Sequence, residues 1–249
     1  MEGFDFFKSS RELYRPKTPA AALKAYETGF NPIEMFIFKS GSTKPLNEEP
    51  FDLEAVERLL SRKDLDLEAN IVLIGIFEKL IYSHDQETAL FAAESINIIE
   101  NRYNSRIERL KKMLEKDKDE SGSVNASLGK IFFELAMING SRLSIKKFYF
   151  KEAYNRMNYV RAQRSLTTEE LSLLVRILLE LQLNRNAMDI LERETKEKDI
   201  EYLFLKAEIA FAMKKYNIVF SLCRDLQEKA ADLPPERRNL LYYWLGKEQ

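Results

Sequence analysis

Few side chains in this chain are equipped for acid–base or nucleophilic chemistry. The one histidine, His84, stands next to Asp85, and an imidazole beside a carboxylate can act as a general base. The pair separates two stretches with helical apolar spacing. A histidine at such a helix end faces solvent or meets the terminal carbonyls, and this is the preferred reading. The one cysteine, Cys223, lies among Val219, Phe220 and Leu226. A nucleophilic thiol needs an accessible, electropositive setting, whereas the neighbouring Arg224 points elsewhere on a helix, so packing is favoured. Acidic clusters at Asp64, Asp66 and Glu68, and at Asp117, Asp119 and Glu120, lack the glycine turn and terminal glutamate of a calcium loop. They are better explained as solvated runs.

Two basic groups have the chemistry to meet an acidic partner or nucleic acid. Arg102, Arg106, Arg109 and Lys112 recur at helical spacing, diluted by Glu100, Glu108 and Glu115. Lys146 to Lys151 interleaves lysines with Phe148, Tyr149 and Phe150, a pattern that can stack on single-stranded bases. A solvated helix face and core packing are preferred for these two groups. Nucleic-acid binding is kept as the alternative, because the net charge of −1 supplies no long-range field.

One cysteine and one histidine leave no ordinary zinc ligand set. Phosphate loops, dinucleotide fingerprints and the common hydrolase motifs do not occur. Neither catalysis nor a cofactor is therefore expected. The single thiol suits a reducing cytoplasm. No apolar run approaches a membrane span, and Glu2 and Asp5 do not suit a signal peptide. Any membrane association would be supplied by a partner.

These groups must be positioned by helices. Only 8 glycines and 7 prolines occur in 249 residues, too few for a sheet joined by tight turns. Residues 1–50 are the least regular, with a short helix expected over 19–28, and are assigned as an adaptor segment. Residues 51–116 show apolar spacing of period 3.6. They are expected to form HEAT-like helix pairs: two helices joined near residues 63–66, then one stripe through Ala89, Ala92, Ala93, Ile96 and Ile99, and another through Tyr103, Ile107, Leu110 and Leu114. Residues 117–124, charged and then small and polar, are assigned as a linker.

Residues 125–249 repeat. Phe150-x-x-Ala153, Asn184-x-x-Ala187 and Tyr216-x-x-Val219 recur at spacings of 34 and 32 residues. Leu203, Ala207 and Tyr216 occupy the large, small and aromatic positions of a helix pair, while Val175 and Val219 stand where smaller residues are usual. This half resembles the tetratricopeptide repeat, whose helix pairs bury their apolar faces by stacking. The resemblance implies an all-α solenoid of antiparallel helix pairs, closed by a C-terminal capping helix at Leu240 to Gly246.

In that family the first helix of each pair lines a groove that holds a peptide or partner helix. Carried onto this chain, the groove residues are Arg142, Lys146, Glu169, Arg176, Phe204, Glu208 and Phe211. Tyr242, Tyr243 and Trp244 form a second candidate surface, for a partner or for self-association. The function implied is a protein-interaction scaffold or adaptor in a bacterial multiprotein assembly, with a partner whose identity stays open.

Overall fold

A computed structural model describes residues 65–82, 84–116, 121–195 and 199–228, with residues 60, 62, 233, 237, 238, 241, 242 and 245. The expected adaptor segment 1–50 and its helix at 19–28 lie outside the described residues. Among those described, the chain is all-helical. Its long helices are α1 (Leu67–Leu80), α2 (Gln86–Lys116), α3 (Ser121–Ile138), α4 (Leu143–Gln163), α5 (Thr168–Glu180), α6 (Asn184–Glu194), α7 (Ile200–Ala212) and α8 (Tyr216–Glu228). None is long and apolar enough to cross a membrane. The described residues divide into two compact units, one ending at Arg164 and the other beginning at Ser165.

In the first unit, Asp66 starts α1 by accepting from the Ala69 N–H at 2.7 Å, satisfying one of the donors that a helix start leaves open. Leu73, Ile74 and Phe77 on α1 are fully buried, each worth about 2–3 kcal/mol in transfer free energy. Helix α2 is a single rod of 31 residues, about 46 Å at the standard rise per residue. This corrects the expectation of two separate helices. The residues between the two stripes, Glu100, Asn101 and Arg102, include no glycine or proline to break the helix. Ala92, Ser95, Ile96, Ile99, Tyr103 and Ile107 form one continuous buried face.

The linker expectation is corrected as well. Residues 117–120 lie outside the described residues, but Ser121 to Val124 form the first turn of α3. Val124 and Asn125 are buried, and the Asn125 side chain accepts from Arg156 on α4 at 3.0 Å. Small polar residues here pack at a helix start rather than form a loop.

Helices α3 and α4 make the most extensive pairing in the first unit. Gly129 permits it, because a Cβ there would sit 2.8 Å from the Met157 sulfur. Phe150, Ala153, Met157 and Val160 make the buried face of α4. Helix α3 also contacts α1 and α2. That packing explains why it belongs with the residues before it, although the sequence pattern groups it with those after.

Among its described residues, the second unit holds two helix pairs of matching construction. Thr167 caps α5 by accepting from the Glu170 N–H at 3.3 Å, and Glu170 returns a bond to the Thr167 N–H at 2.9 Å. Asp199 caps α7 by accepting from the Tyr202 N–H at 2.8 Å. Helices α5 and α7 each have 13 residues. Each ends on a residue with positive φ, Gln182 at 62° and Lys214 at 59°. In both turns the next N–H reaches back to close the helix, Leu183 to the Leu178 carbonyl and Lys215 to the Ala210 carbonyl, each at 2.8 Å. These are Schellman closures, which a left-handed residue makes possible.

Candidate functional site

The seven residues assigned to a groove have different fates. Arg142 and Lys146 are not on the first helix of a pair. Helix α3 ends at Ile138, the chain turns through Asn139 to Ser141, and α4 begins at Leu143. Arg142 is therefore the residue before the second helix, and its guanidinium bonds Glu100 of α2. Lys146 lies on α4 with its ammonium 5.4 Å from the centre of the Phe150 ring, a cation–π contact.

The other five lie on α5 and α7. Glu169 is exposed in the first turn of α5, and Arg176 is half-buried. Phe204 is buried, which corrects its assignment as an exposed groove residue. It joins Val219, Cys223, Leu226, Leu233 and Leu241 in the core, with the Arg237 guanidinium 5.1 Å above its ring. Glu208 is only 7% exposed, a second correction. Phe211 packs at the edge of the same core and meets Tyr216 edge-on at 5.7 Å between ring centres. Of the proposed aromatic cap, Tyr242 is half-buried, while Tyr243 and Trp244 lie outside the described residues.

The unusual group is Glu208. Burial pushes its carboxyl up to about 7, with Arg176 pulling it down, Glu201 raising it and Arg237 lowering it. The Arg176 Nε and the Glu208 Oε2 are 3.9 Å apart. That is beyond hydrogen-bond reach, and neither atom has a hydrogen-bond partner. A buried ion pair without good geometry recovers little of its desolvation cost.

Glu169, Ser172 and Arg176 form one row along α5, and Glu201, Phe204 and Glu208 form the equivalent row along α7, each residue 32 positions from its counterpart. On α7 the row is covered: Arg237 bonds Glu201 and lies over Phe204. On α5 the row keeps Glu169 exposed and Arg176 half-buried, with Ser172 between them buried. The sequence assignment omitted Glu201 and Arg237. Extending the 32-residue equivalence from Glu169 would have located Glu201. Nothing in the sequence pattern signals Arg237, which reaches the row from beyond α8.

A second polar cluster ties α6 to α7. The Lys206 ammonium donates to the Tyr202 hydroxyl at 3.1 Å and to Glu192 at 3.3 Å. The hydrogen bond to Tyr202 is the main reason its pKa is raised.

The remaining chemical candidates have structural positions. His84 is exposed. Asp85 accepts from the Thr88 N–H at 3.0 Å at the start of α2, and Thr88 holds its carboxyl below the usual range. Cys223 is buried, and burial pushes its thiol up to about 11. Arg102 donates to the Arg62 and Leu60 carbonyls, and Arg106 pairs with Glu134 at 3.6 Å, so half of the basic stripe on α2 serves internal contacts. Burial raises the Glu134 carboxyl, against the pull of Arg106. No cluster of three or more potential metal ligands occurs among the described residues.

Comparison with protein-family models, curated proteins and solved structures finds no match to this chain.

Proposed function

We propose that this chain is a protein-interaction scaffold built as an α-solenoid, whose segment from Ser165 onward stacks degenerate tetratricopeptide-like helix pairs and takes a peptide along α5. The observation that carries this reading is the equivalence of α5–α6 with α7–α8 at 32 residues. Caps Thr167 and Asp199, left-handed residues Gln182 and Lys214, and helix starts Asn184 and Tyr216 are all separated by that interval. Helix α5 contacts α7 as well as α6, the relation expected where one pair stacks on the next. Arg176 and Glu208, equivalent residues of opposite charge, face each other across that contact.

The covered row on α7 supports the same reading. Leu233, Arg237 and Leu241 cover the row on α7, whereas on α5 Glu169 stays exposed and Arg176 half-buried at the two ends of a row whose middle residue, Ser172, is buried. Glu169 and Arg176 then present an acid and a base about two helical turns apart, suited to fixing the register of an extended peptide through paired charges.

Selection of a random peptide display library on the full chain tests this. The expected result is a convergent peptide motif whose binding falls at least tenfold in Glu169→Lys and in Arg176→Gln, with far-UV circular dichroism unchanged. Failure to enrich any motif, or motifs indifferent to both substitutions, would overturn the proposal.

A further inference from the structure

The Lys146 to Lys151 run is divided by the helix it lies on. Phe150 is buried in the α3–α4 contact and Lys146 covers its ring. Tyr149 stacks on Phe132 of α3 at 6.2 Å between ring centres. Phe148, by contrast, is 56% exposed, and Leu143, Ile145 and Tyr159 on the same helix are 74%, 40% and 45% exposed. Helical geometry puts Ile145, Phe148, Asn155 and Tyr159 on one face, with Lys147 and Lys151 along one edge of it. The centre of this face lies opposite the buried stripe of Phe150, Ala153, Met157 and Val160, whereas Leu143, seven residues before Phe150, stands in line with that stripe at the exposed helix start.

The charge of this face is as distinctive as its apolarity. Helix α4 carries Lys146, Lys147, Lys151, Arg156 and Arg161 against the single acid Glu152, a net +4, in a chain whose total is −1. Arg156 is used internally, donating to Asn125. Lys147 and Lys151 are exposed and form no ion pair among the described residues. An exposed apolar row flanked by two uncompensated ammonium groups has the composition of a binding surface: a desolvated anchor at the centre and charge at the rim.

We infer that the outer face of α4, centred on Phe148 and flanked by Lys147 and Lys151, docks an acidic amphipathic helix of a partner protein. Such a helix matches the surface in both respects. Its apolar side covers Ile145, Phe148 and Tyr159 over several turns, and its carboxylates meet the two lysines. An aromatic anchor supplies most of the affinity in a contact of this type, while rim charges set encounter rate and salt dependence. An apolar strip favours a protein over nucleic acid, whose affinity rests on phosphate contacts. This surface belongs to the unit ending at Arg164 and stands independently of the repeat reading.

The test uses the same peptide library, selected on the wild-type full chain after depletion on a Phe148→Ala/Lys147→Glu/Lys151→Glu variant. The expected peptides carry an excess of Asp and Glu and apolar residues at three- and four-residue intervals. They should bind at least tenfold more weakly to Phe148→Ala, and lose affinity as salt rises in a manner that Lys147→Glu/Lys151→Glu abolishes. Because these three side chains are exposed, the variants should keep the wild-type thermal midpoint. No enrichment, or peptides without acidic excess, overturns the inference. So does equal binding of a labelled oligouridylate that displaces the peptides, which would assign the face to single-stranded RNA. A Phe148-dependent dimer in sedimentation velocity overturns it in favour of a second copy. The groove substitutions Glu169→Lys and Arg176→Gln should leave these peptides bound, separating this surface from the groove on α5.

Discussion

Glu208 offers a direct check on the packing of α5 against α7. Its carboxyl titrates at about 7 in the folded chain, against 4.5 as an ordinary glutamate, with burial the leading cause. Because the folded pKa is raised, the folded protein holds a proton that the unfolded chain has already released between these two values. Stability therefore falls as pH rises through that window and is constant above it as far as this group is concerned. At about 1.4 kcal/mol for each tenfold difference, the ionised carboxylate costs about 3 kcal/mol above pH 7. Glu208→Gln keeps the shape of the protonated acid and removes the charge. It should stabilise the protein by about 2–3 kcal/mol at pH 8 and by well under about 1 kcal/mol at pH 4.5. Urea denaturation followed by far-UV circular dichroism at the two pH values reads the difference as a midpoint shift of about 1–2 M that appears only at high pH. A midpoint difference that is the same at both pH values would refute the argument, since it would mean that the carboxyl is not desolvated.

Three further outcomes follow from the same geometry. Thr167→Ala and Asp199→Ala each remove a side-chain cap and should each destabilise by about 1 kcal/mol in chemical denaturation. Gln182→Gly and Lys214→Gly relieve a left-handed residue and should each stabilise by about 0.5–1 kcal/mol, with similar values because the two turns are alike. Cys223, buried with a raised thiol pKa, should react with a chromogenic disulfide reagent at pH 8 only as fast as the protein unfolds; immediate reaction of the native chain would contradict its placement.

The parts legible in the sequence are those where local signals agree with packing. The apolar spacing of α5 to α8, the position of Tyr216 at a helix start and the 32-residue interval are all visible in residue types. Thr167 and Asp199 precede strongly periodic stretches, and each proves to be a cap. What the sequence concealed depends on neighbours distant along the chain. The face of α2 crosses from one apolar stripe to another without a breaker, so a single helix looks like two. Ser121-Gly122-Ser123 resembles a loop in composition, yet Asn125 and Arg156 secure a helix start there.

Site residues failed for a similar reason. Amphipathic spacing identifies a face without saying what covers it. Phe204 and Glu208 stand where an open groove would place them, but Arg237 and Leu241 come from beyond α8 and close that part of the row. Arg142 was misplaced by the length of α4, which begins seven residues before the Phe150 used to align the repeats. The Lys146–Lys151 run mixes inward and outward side chains, and only the helix direction shows that Phe148 is the exposed ring.

The scaffold account is tested most directly by mapping a selected peptide onto the isotopically labelled full chain by NMR. The account predicts that amide shifts concentrate on α5 around Glu169 and Arg176 and vanish in Glu169→Lys. Shifts confined to other helices, or an unchanged pattern in that variant, would contradict it.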